Sequence, residues 1–267
     1  MMPSTKNTVR PVALITGASA GIGLEFARVF ADHQYDLLLV ARRRDTLEAV
    51  AGKLEGRFGI SANVYAADLS ISEAPQQIFD FTQNEGIAVE VLVNNAGFGV
   101  GGAFSETDLN RELDEIQVNI TALTHLTKLF LPQMIKRRSG RILQVASTAG
   151  FQPGPLMSVY YATKAYVVSF SQALSEELRH SGVSVTALCP GSTHSEFAKA
   201  AGLTQIRLFQ MGGIAKASDV AEYGYDALMK RKRLAIPGLK NKFTTQVNRI
   251  MPRIVITKAA RLLQEGR

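Results

Sequence analysis

Tyr160 and Lys164 stand four residues apart in the stretch Tyr160-Tyr161-Ala162-Thr163-Lys164. On a helix this spacing puts both side chains on one face, one turn apart. An ammonium beside a phenol favours the phenolate, so the pair predicts a tyrosine pKa below its usual value of about 10. Such a group hands a proton to a carbonyl, or takes one from an alcohol, near neutral pH. Tyr161 lies about 100° around the helix and does not share the face of Lys164. A Tyr-x-x-x-Lys pair by itself also fits ordinary helix surface. It acquires a chemical meaning only beside a cofactor, a second hydrogen-bond donor and a scaffold that aligns them.

The scaffold is legible as alternation. Short apolar runs at 12–16, 36–41, 63–67, 89–93, 141–145, 184–188 and 234–236 predict strands. Amphipathic segments at 20–31, 46–58, 72–84, 158–181 and 219–230, and one or two long helices over 108–136, lie between them. Pro132 predicts a kink late in that stretch, Asp219 an N-cap, and a helix is expected within 195–210. Strand–helix alternation of this length implies βαβ units, a parallel sheet and helices on both faces. The reading is a flexible lead over 1–10, a single α/β domain over 11–238 and a basic amphipathic extension over 239–267.

The first strand breaks into Thr16-Gly17-Ala18-Ser19-Ala20-Gly21-Ile22-Gly23 before the first helix. A glycine-rich turn there lets backbone N–H groups and a helix N-terminus face a pyrophosphate. At the end of the second strand a carboxylate would bind the ribose 2′-hydroxyl of NAD. This chain has Ala41 followed by Arg42, Arg43 and Arg44, so a guanidinium is available for a 2′-phosphate and the expected cofactor is NADP. Asp68 closes the third strand, where a carboxylate meets adenine or caps the next helix. Asn94-Asn95-Ala96-Gly97 closes the fourth with small residues that allow the backbone to approach a ligand.

Composition narrows the field. The chain has 267 residues, 46% hydrophobic and 20% charged, which suits a globular protein with a sizeable core. The single cysteine, Cys189, excludes an internal disulfide and a cysteine metal cluster. The four histidines are scattered, so no metal site is expected. The first ten residues are polar, with no apolar signal core, and no run of about 18 apolar residues exists. A soluble, cytoplasmic protein is the expectation. The net charge of +7 is uneven: from Lys230 onward there are eleven Lys or Arg and one acid, Glu265, so this segment carries +10 and the rest of the chain −3. Such a segment either packs on the domain or a partner subunit, the reading preferred here, or lies on an anionic membrane surface. It carries no nucleic-acid recognition motif.

With these motifs the chain resembles the short-chain dehydrogenase/reductase family. The resemblance covers about residues 10–236. It rests on the glycine turn, Asp68-Leu69, Asn94 to Gly97, Asn119, Ser147, Tyr160-x-x-x-Lys164 and Pro190-Gly191. Ser147 precedes Tyr160 by 13 positions, the family's usual spacing. The resemblance implies a Rossmann-type, doubly wound sheet of seven strands in order 3-2-1-4-5-6-7, and homodimers or homotetramers. It implies Tyr160 as general acid/base, Lys164 as the group that lowers its pKa and holds the nicotinamide ribose, and Ser147 as donor to the substrate oxygen. Asn119 would sit at a helix distortion and hold a relay water. Gly17, Ser19, Ala20, Gly21, Ile22, Gly23, Arg42, Asp68, Leu69, Asn95, Ala96, Gly97, Pro190, Gly191, Thr193 and Ser195 would join Tyr160 and Lys164 around the cofactor. Within the family the chain is similar to a bacterial subgroup often labelled DltE-like, through Cys189-Pro190-Gly191 and the basic C-terminal segment.

The function expected is hydride transfer between NADP(H) and a small carbonyl or alcohol substrate. The alternatives are a non-catalytic NADP-binding sensor or scaffold, and a membrane-peripheral reductase of lipid-derived 3-ketoacyl or steroid-like substrates. Cys189 reads as a buried apolar residue. Phe98, Phe151, Met157 and Phe197 predict an apolar substrate pocket or lid packing.

Overall fold

The structure, a computed structural model, describes residues 10–194 and 214–265. In chain order the strands are β1 (Val12–Thr16), β2 (Asp36–Ala41), β3 (Ala62–Ala66), β4 (Val89–Asn94), β5 (Gly140–Val145), β6 (Val183–Leu188), β7 (Thr193–His194), β8 (Ala215–Lys216) and β9 (Leu234–Ala235). Seven of them form one sheet in the order β3-β2-β1-β4-β5-β6-β9, and every pair in it is parallel. This is the expected order. The last strand is ninth rather than seventh along the chain because β7 and β8 pair only with each other.

The helices are α1 (Gly21–Asp32), α2 (Arg44–Phe58), α3 (Ala74–Asn84), α4 (Leu109–Ile116), α5 (Leu123–Lys136), α6 (Ser158–Glu177), α7 (Ala217–Met229), α8 (Leu239–Ile250) and α9 (Arg253–Gln264). Strand β2 shows why they lie on both faces. Its side chains alternate between two cores, as the period of a strand requires. Leu37 and Leu39 pack with Phe26 and Phe30 of α1, Leu47 and Leu54 of α2 and Leu228 of α7. Leu38 and Val40 pack with Ile78 of α3, Phe130 and Met134 of α5 and Leu174 of α6. All four β2 side chains are fully buried, so neither face of the sheet is available to solvent there.

The long 108–136 stretch is divided by a π-helical segment, Gln117–Ala122, between α4 and α5, and Pro132 lies inside α5. A single π turn inserts one residue into the ladder, often at a functional position, and Asn119 is in it. One local expectation is corrected: Asp219 is not the cap of α7. The helix starts two residues earlier, after Lys216, because β8 feeds directly into it. Asp219 instead sits in the first turn, where its charge complements the helix macrodipole. The helix expected within 195–210 lies outside the described residues.

Candidate active site

The expected site residues in the described chain sit on or after the carboxyl ends of β1 to β6, or on the helical segments beside them. Gly17 turns the chain out of β1 in the left-handed region, at φ +67°, which only glycine enters without strain. Gly23 lies so close to that turn that a Cβ there would collide with the carbonyl oxygen of Gly17. Ala20, as N-cap of α1, offers no capping side chain, and the first turn (Gly21, Ile22, Gly23) carries no acid. The uncapped N–H groups and the positive end of α1 are therefore left for an anion. Asn95 holds this arrangement from the neighbouring strand. Its Nδ2 donates to the Thr16 carbonyl at 2.9 Å, and the backbone N–H groups of Asn95 and Ala96 both donate to Thr16 Oγ1 at 3.0 Å.

A cavity of about 400 Å³ opens beside this turn. Of the expected cofactor contacts, Gly17, Ser19, Arg42, Asp68, Leu69, Ala96 and Gly97 line it. Arg43, from the arginine run after β2, lines it too, as do Arg111, Asp114 and Val118, which were not anticipated. The last three come from α4 and the π segment, far along the chain from any strand end, so no strand-end motif pointed to them. The Arg111 guanidinium lies 5.0 Å over the Phe98 ring. Arg42 and Arg43 are both exposed at the rim. Asp68 does not cap the following helix. Its Oδ1 accepts from the N–H and hydroxyl of Ser70, at 3.0 and 2.9 Å, which fixes the loop after β3. An uncapped helix end, a cradle too tight for a Cβ and two guanidinium groups at one rim fit a dinucleotide carrying an extra phosphate.

The second half of the site is built on α6. Ser147 follows β5 and caps a 3₁₀ turn, Thr148–Phe151, by accepting from the Ala149 N–H at 3.1 Å. Its hydroxyl donates to the Pro190 carbonyl at 3.4 Å, which ties the ends of β5 and β6 together, and it hydrogen-bonds the Tyr160 side chain. Lys164 is one turn along α6. Its Nζ lies 5.7 Å from the centre of the Tyr160 ring and donates to the Val145 carbonyl at 2.9 Å. Asn119 uses both ends of its amide. Oδ1 accepts from the Phe98 N–H at 3.1 Å, while Nδ2 donates to the Phe98 carbonyl at 2.9 Å and to Thr163 Oγ1 at 3.1 Å. Thr163 in turn donates to the Tyr160 carbonyl at 2.8 Å, so Asn119 is braced against the helix that carries Tyr160 and Lys164. A Cβ at Gly97 would fall 2.8 Å from Asn119 Oδ1 and 3.3 Å from Lys164 Nζ, so these two polar groups flank one point.

The electrostatics overturn one expectation. Tyr160 is not lowered by Lys164. Burial of the phenol pushes its pKa well above the usual range, and the Ser147 hydroxyl opposes this only partly. The physical reason is that a phenolate loses its hydration here, while the ammonium sits over the ring rather than at the hydroxyl. Burial also lowers Lys164, to about 8, against the attraction of Glu115. Cys189, fully buried at the end of β6, has its thiol raised to about 12 by burial and is no nucleophile.

Glu115 was missed by sequence reasoning. It lies four residues before Asn119, is fully buried, and accepts from the Val100 N–H through Oε2 at 2.9 Å, while Oε1 has no hydrogen-bond partner. Burial first, and the nearby Glu112 carboxylate after it, raise its pKa to about 8; the Val100 hydrogen bond, Lys164 and Arg111 work against the rise. Helix α4 is inverted: Leu109 and Leu113 are exposed, while Glu112 and Glu115 are buried. Spacing from Asn119 was the only available signal.

Pro190 and Gly191 follow β6, and Thr193 Oγ1 donates to the Gly191 carbonyl at 3.0 Å. Thr193 is buried in β7. Ser195 and Phe197 lie outside the described residues.

Comparison with known proteins adds the lineage. Very-long-chain 3-oxoacyl-CoA reductase of Anas platyrhynchos is 34% identical over 186 residues, 67% of this chain, and the match spans 58% of that relative's own length. Among solved structures, a short-chain dehydrogenase from Sphingobium yanoikuyae in complex with NADPH is 30% identical, with a TM-score of 0.82 over 90% of this chain and 93% of that one. The bulky-bulky ketone specific alcohol dehydrogenase from Comamonas testosteroni is 27% identical, with a TM-score of 0.76 over the same shares of the two chains. The family model described as short chain dehydrogenase matches residues 11–205, and this chain belongs to that family.

Proposed function

We propose that this protein is an NADP-dependent oxidoreductase that transfers a hydride between the nicotinamide and a carbonyl or alcohol carbon. The observation that carries the reading is the half-buried Tyr160, its phenol hydrogen-bonded to Ser147, with Lys164 one helical turn away. Bound NADPH would supply the hydride. The chain's residues do the rest. Ser147 and Tyr160 hold the substrate oxygen. Tyr160 donates its hydroxyl proton to that oxygen as negative charge develops there, and the carbonyl becomes an alcohol. The high pKa of Tyr160 keeps the phenol protonated across neutral pH, which suits this direction. Lys164, positively charged below about pH 8, is held by the Val145 carbonyl one helical turn from Tyr160, within reach of the nicotinamide ribose that the family resemblance assigns to it. Asn119 holds the loop at Phe98 and the turn of α6 at Thr163 in one geometry.

The preference for NADP rests on Arg42 and Arg43 at the cavity rim, and on the NADPH bound in the Sphingobium relative. Arg42→Ala is expected to weaken NADPH binding about tenfold to a hundredfold, the loss of one charge-assisted hydrogen bond. NADH binding should stay within about twofold. Titration of both cofactors by fluorescence checks this; an equal loss for the two would remove Arg42 from 2′-phosphate recognition.

Lipid-derived ketones are the favoured substrate class, on the strength of the relatives named very-long-chain 3-oxoacyl-CoA reductase. NADPH consumption against a panel of 3-ketoacyl thioesters and short ketones tests it. A cytoplasmic location, a homodimeric or homotetrameric state and a place in the DltE-like subgroup are part of this reading.

A further inference from the structure

Helix α8 presents its sequence pattern inside out, and the residues that it and α9 turn to the body of the protein include buried polar side chains. Thr245 and Gln264 are buried. Asn248 Nδ2 donates to Gln152 Oε1 at 2.6 Å, next to the 3₁₀ turn that Ser147 caps. The Asn241 side chain lies against Gly191, where an added Cβ would be 2.7 Å from its Nδ2. Only Ile256 and Ala260 add buried apolar contact from α9.

The apolar residues face out. Leu239, Phe243 and Ile250 are 83%, 72% and 87% exposed, and their spacing of four and seven residues makes one stripe along α8. Ile254, Val255 and Leu262 are likewise exposed on α9. Lys240, Lys242, Arg253, Lys258 and Arg261 are exposed on the same two helices, and the one acid there, Glu265, is paired with Arg261 at 2.7 Å. Large apolar side chains exposed in a helical stripe mark an interaction site. Its charge selects the partner. A second copy would bring the same positive helices against these and be repelled. An anionic surface would attract both. No helix among the described residues is long and apolar enough to cross a membrane, so the helices would lie along the surface rather than span it.

We propose that α8 and α9 dock the protein on an anionic lipid bilayer, with the apolar stripe at the acyl boundary and the Lys and Arg side chains among the headgroups. Because their inner faces touch Gln152 and Gly191, docking sets the rim of the candidate active site toward the bilayer, where an amphiphilic ketone would be delivered. That last step rests on the oxidoreductase reading; the docking does not.

The chain has no tryptophan, so Phe243→Trp makes a single reporter in the full-length protein. Its emission is expected to shift to the blue with vesicles containing about a third phosphatidylglycerol, and to stay unchanged with pure phosphatidylcholine, since each basic residue at an anionic surface changes partition roughly fivefold. Co-sedimentation of the unaltered protein with the same vesicles should fall at least about tenfold in Phe243→Ser/Ile250→Ser/Ile254→Ser and in Lys240→Glu/Lys242→Glu/Lys258→Glu. Carbonyl turnover without vesicles should be unchanged in both variants. No blue shift, or equal sedimentation of all three proteins, would overturn the proposal. So would a stable dimer that the serine variant dissociates, since a second copy would then cover the stripe. Vesicle binding is read without turnover, so a protein that docks but reduces no carbonyl would retire the oxidoreductase reading alone.

Discussion

Tyr160→Phe is expected to lower carbonyl reduction by about 10²–10⁴-fold, the range for removing a positioned general acid, while NADPH binding and fold are retained. The substitution keeps the ring and its edge-to-face contact with Tyr161, at 6.1 Å between centroids. It removes only the hydroxyl that Ser147 engages. One unmade hydrogen bond costs about 1 kcal/mol of stability, too little to unfold a chain with this buried a sheet. Ser147→Ala should cost about 10²–10³-fold, as for loss of one donor to a developing oxyanion. It should cost little more when Tyr160 is already Phe, because the two act on the same oxygen. The measurement is NADPH oxidation under saturating cofactor with a thermal melt alongside. Undiminished turnover by Tyr160→Phe would remove the assignment.

Glu115→Gln is expected to change how stability depends on pH. In the folded protein the Glu115 carboxyl titrates at about 8, against 4.5 for the unperturbed group. The folded state therefore binds a proton that the unfolded state has released. Its contribution is complete below about pH 4.5 and is lost as pH rises to about 8. Lys164 moves the other way. With its pKa lowered from 10.5 to about 8, its buried charge costs stability below pH 8, and that cost lifts between about pH 8 and 10.5. The two windows meet near pH 8 and do not overlap, so the interval from pH 5 to 8 reports Glu115. The glutamine keeps an acceptor for the Val100 N–H and cannot ionise. Relative to the unaltered protein, Glu115→Gln should gain on the order of 1–3 kcal/mol between pH 5 and pH 8, after allowing for solvent screening. In a chain of this size that is a rise of a few degrees in melting temperature. Melting curves at pH 5, 6.5 and 8 decide it; a difference that stays constant with pH would mean that Glu115 is ionised throughout. Loss of the carboxylate should also lower Lys164 further, since the Glu115 charge is what opposes the lowering by burial most.

The order of the sheet and the main site were legible because they are local. A strand buried on both faces is an unbroken apolar run, as at Leu37 to Val40. A glycine at φ +67° and another pressed on its carbonyl leave a fixed spacing, as at Gly17 and Gly23. Tyr160 and Lys164 lie on one helix, so their proximity follows from helical geometry alone. Five features were decided only by the tertiary structure. Asp219 missed the cap because the two-residue pairing of β8 with β7 set where α7 begins. The π segment in the long helix falls at Asn119, which is bonded to Phe98 and Thr163, both distant in sequence. The shift of Tyr160 took the opposite sign to that read from Lys164 because burial, which no pair spacing encodes, outweighed the neighbouring charge. Glu115 and the apolar stripe of α8 are both amphipathic patterns turned inside out. A sequence specifies that a helix has two faces; which face meets the core is chosen by the elements packed against it.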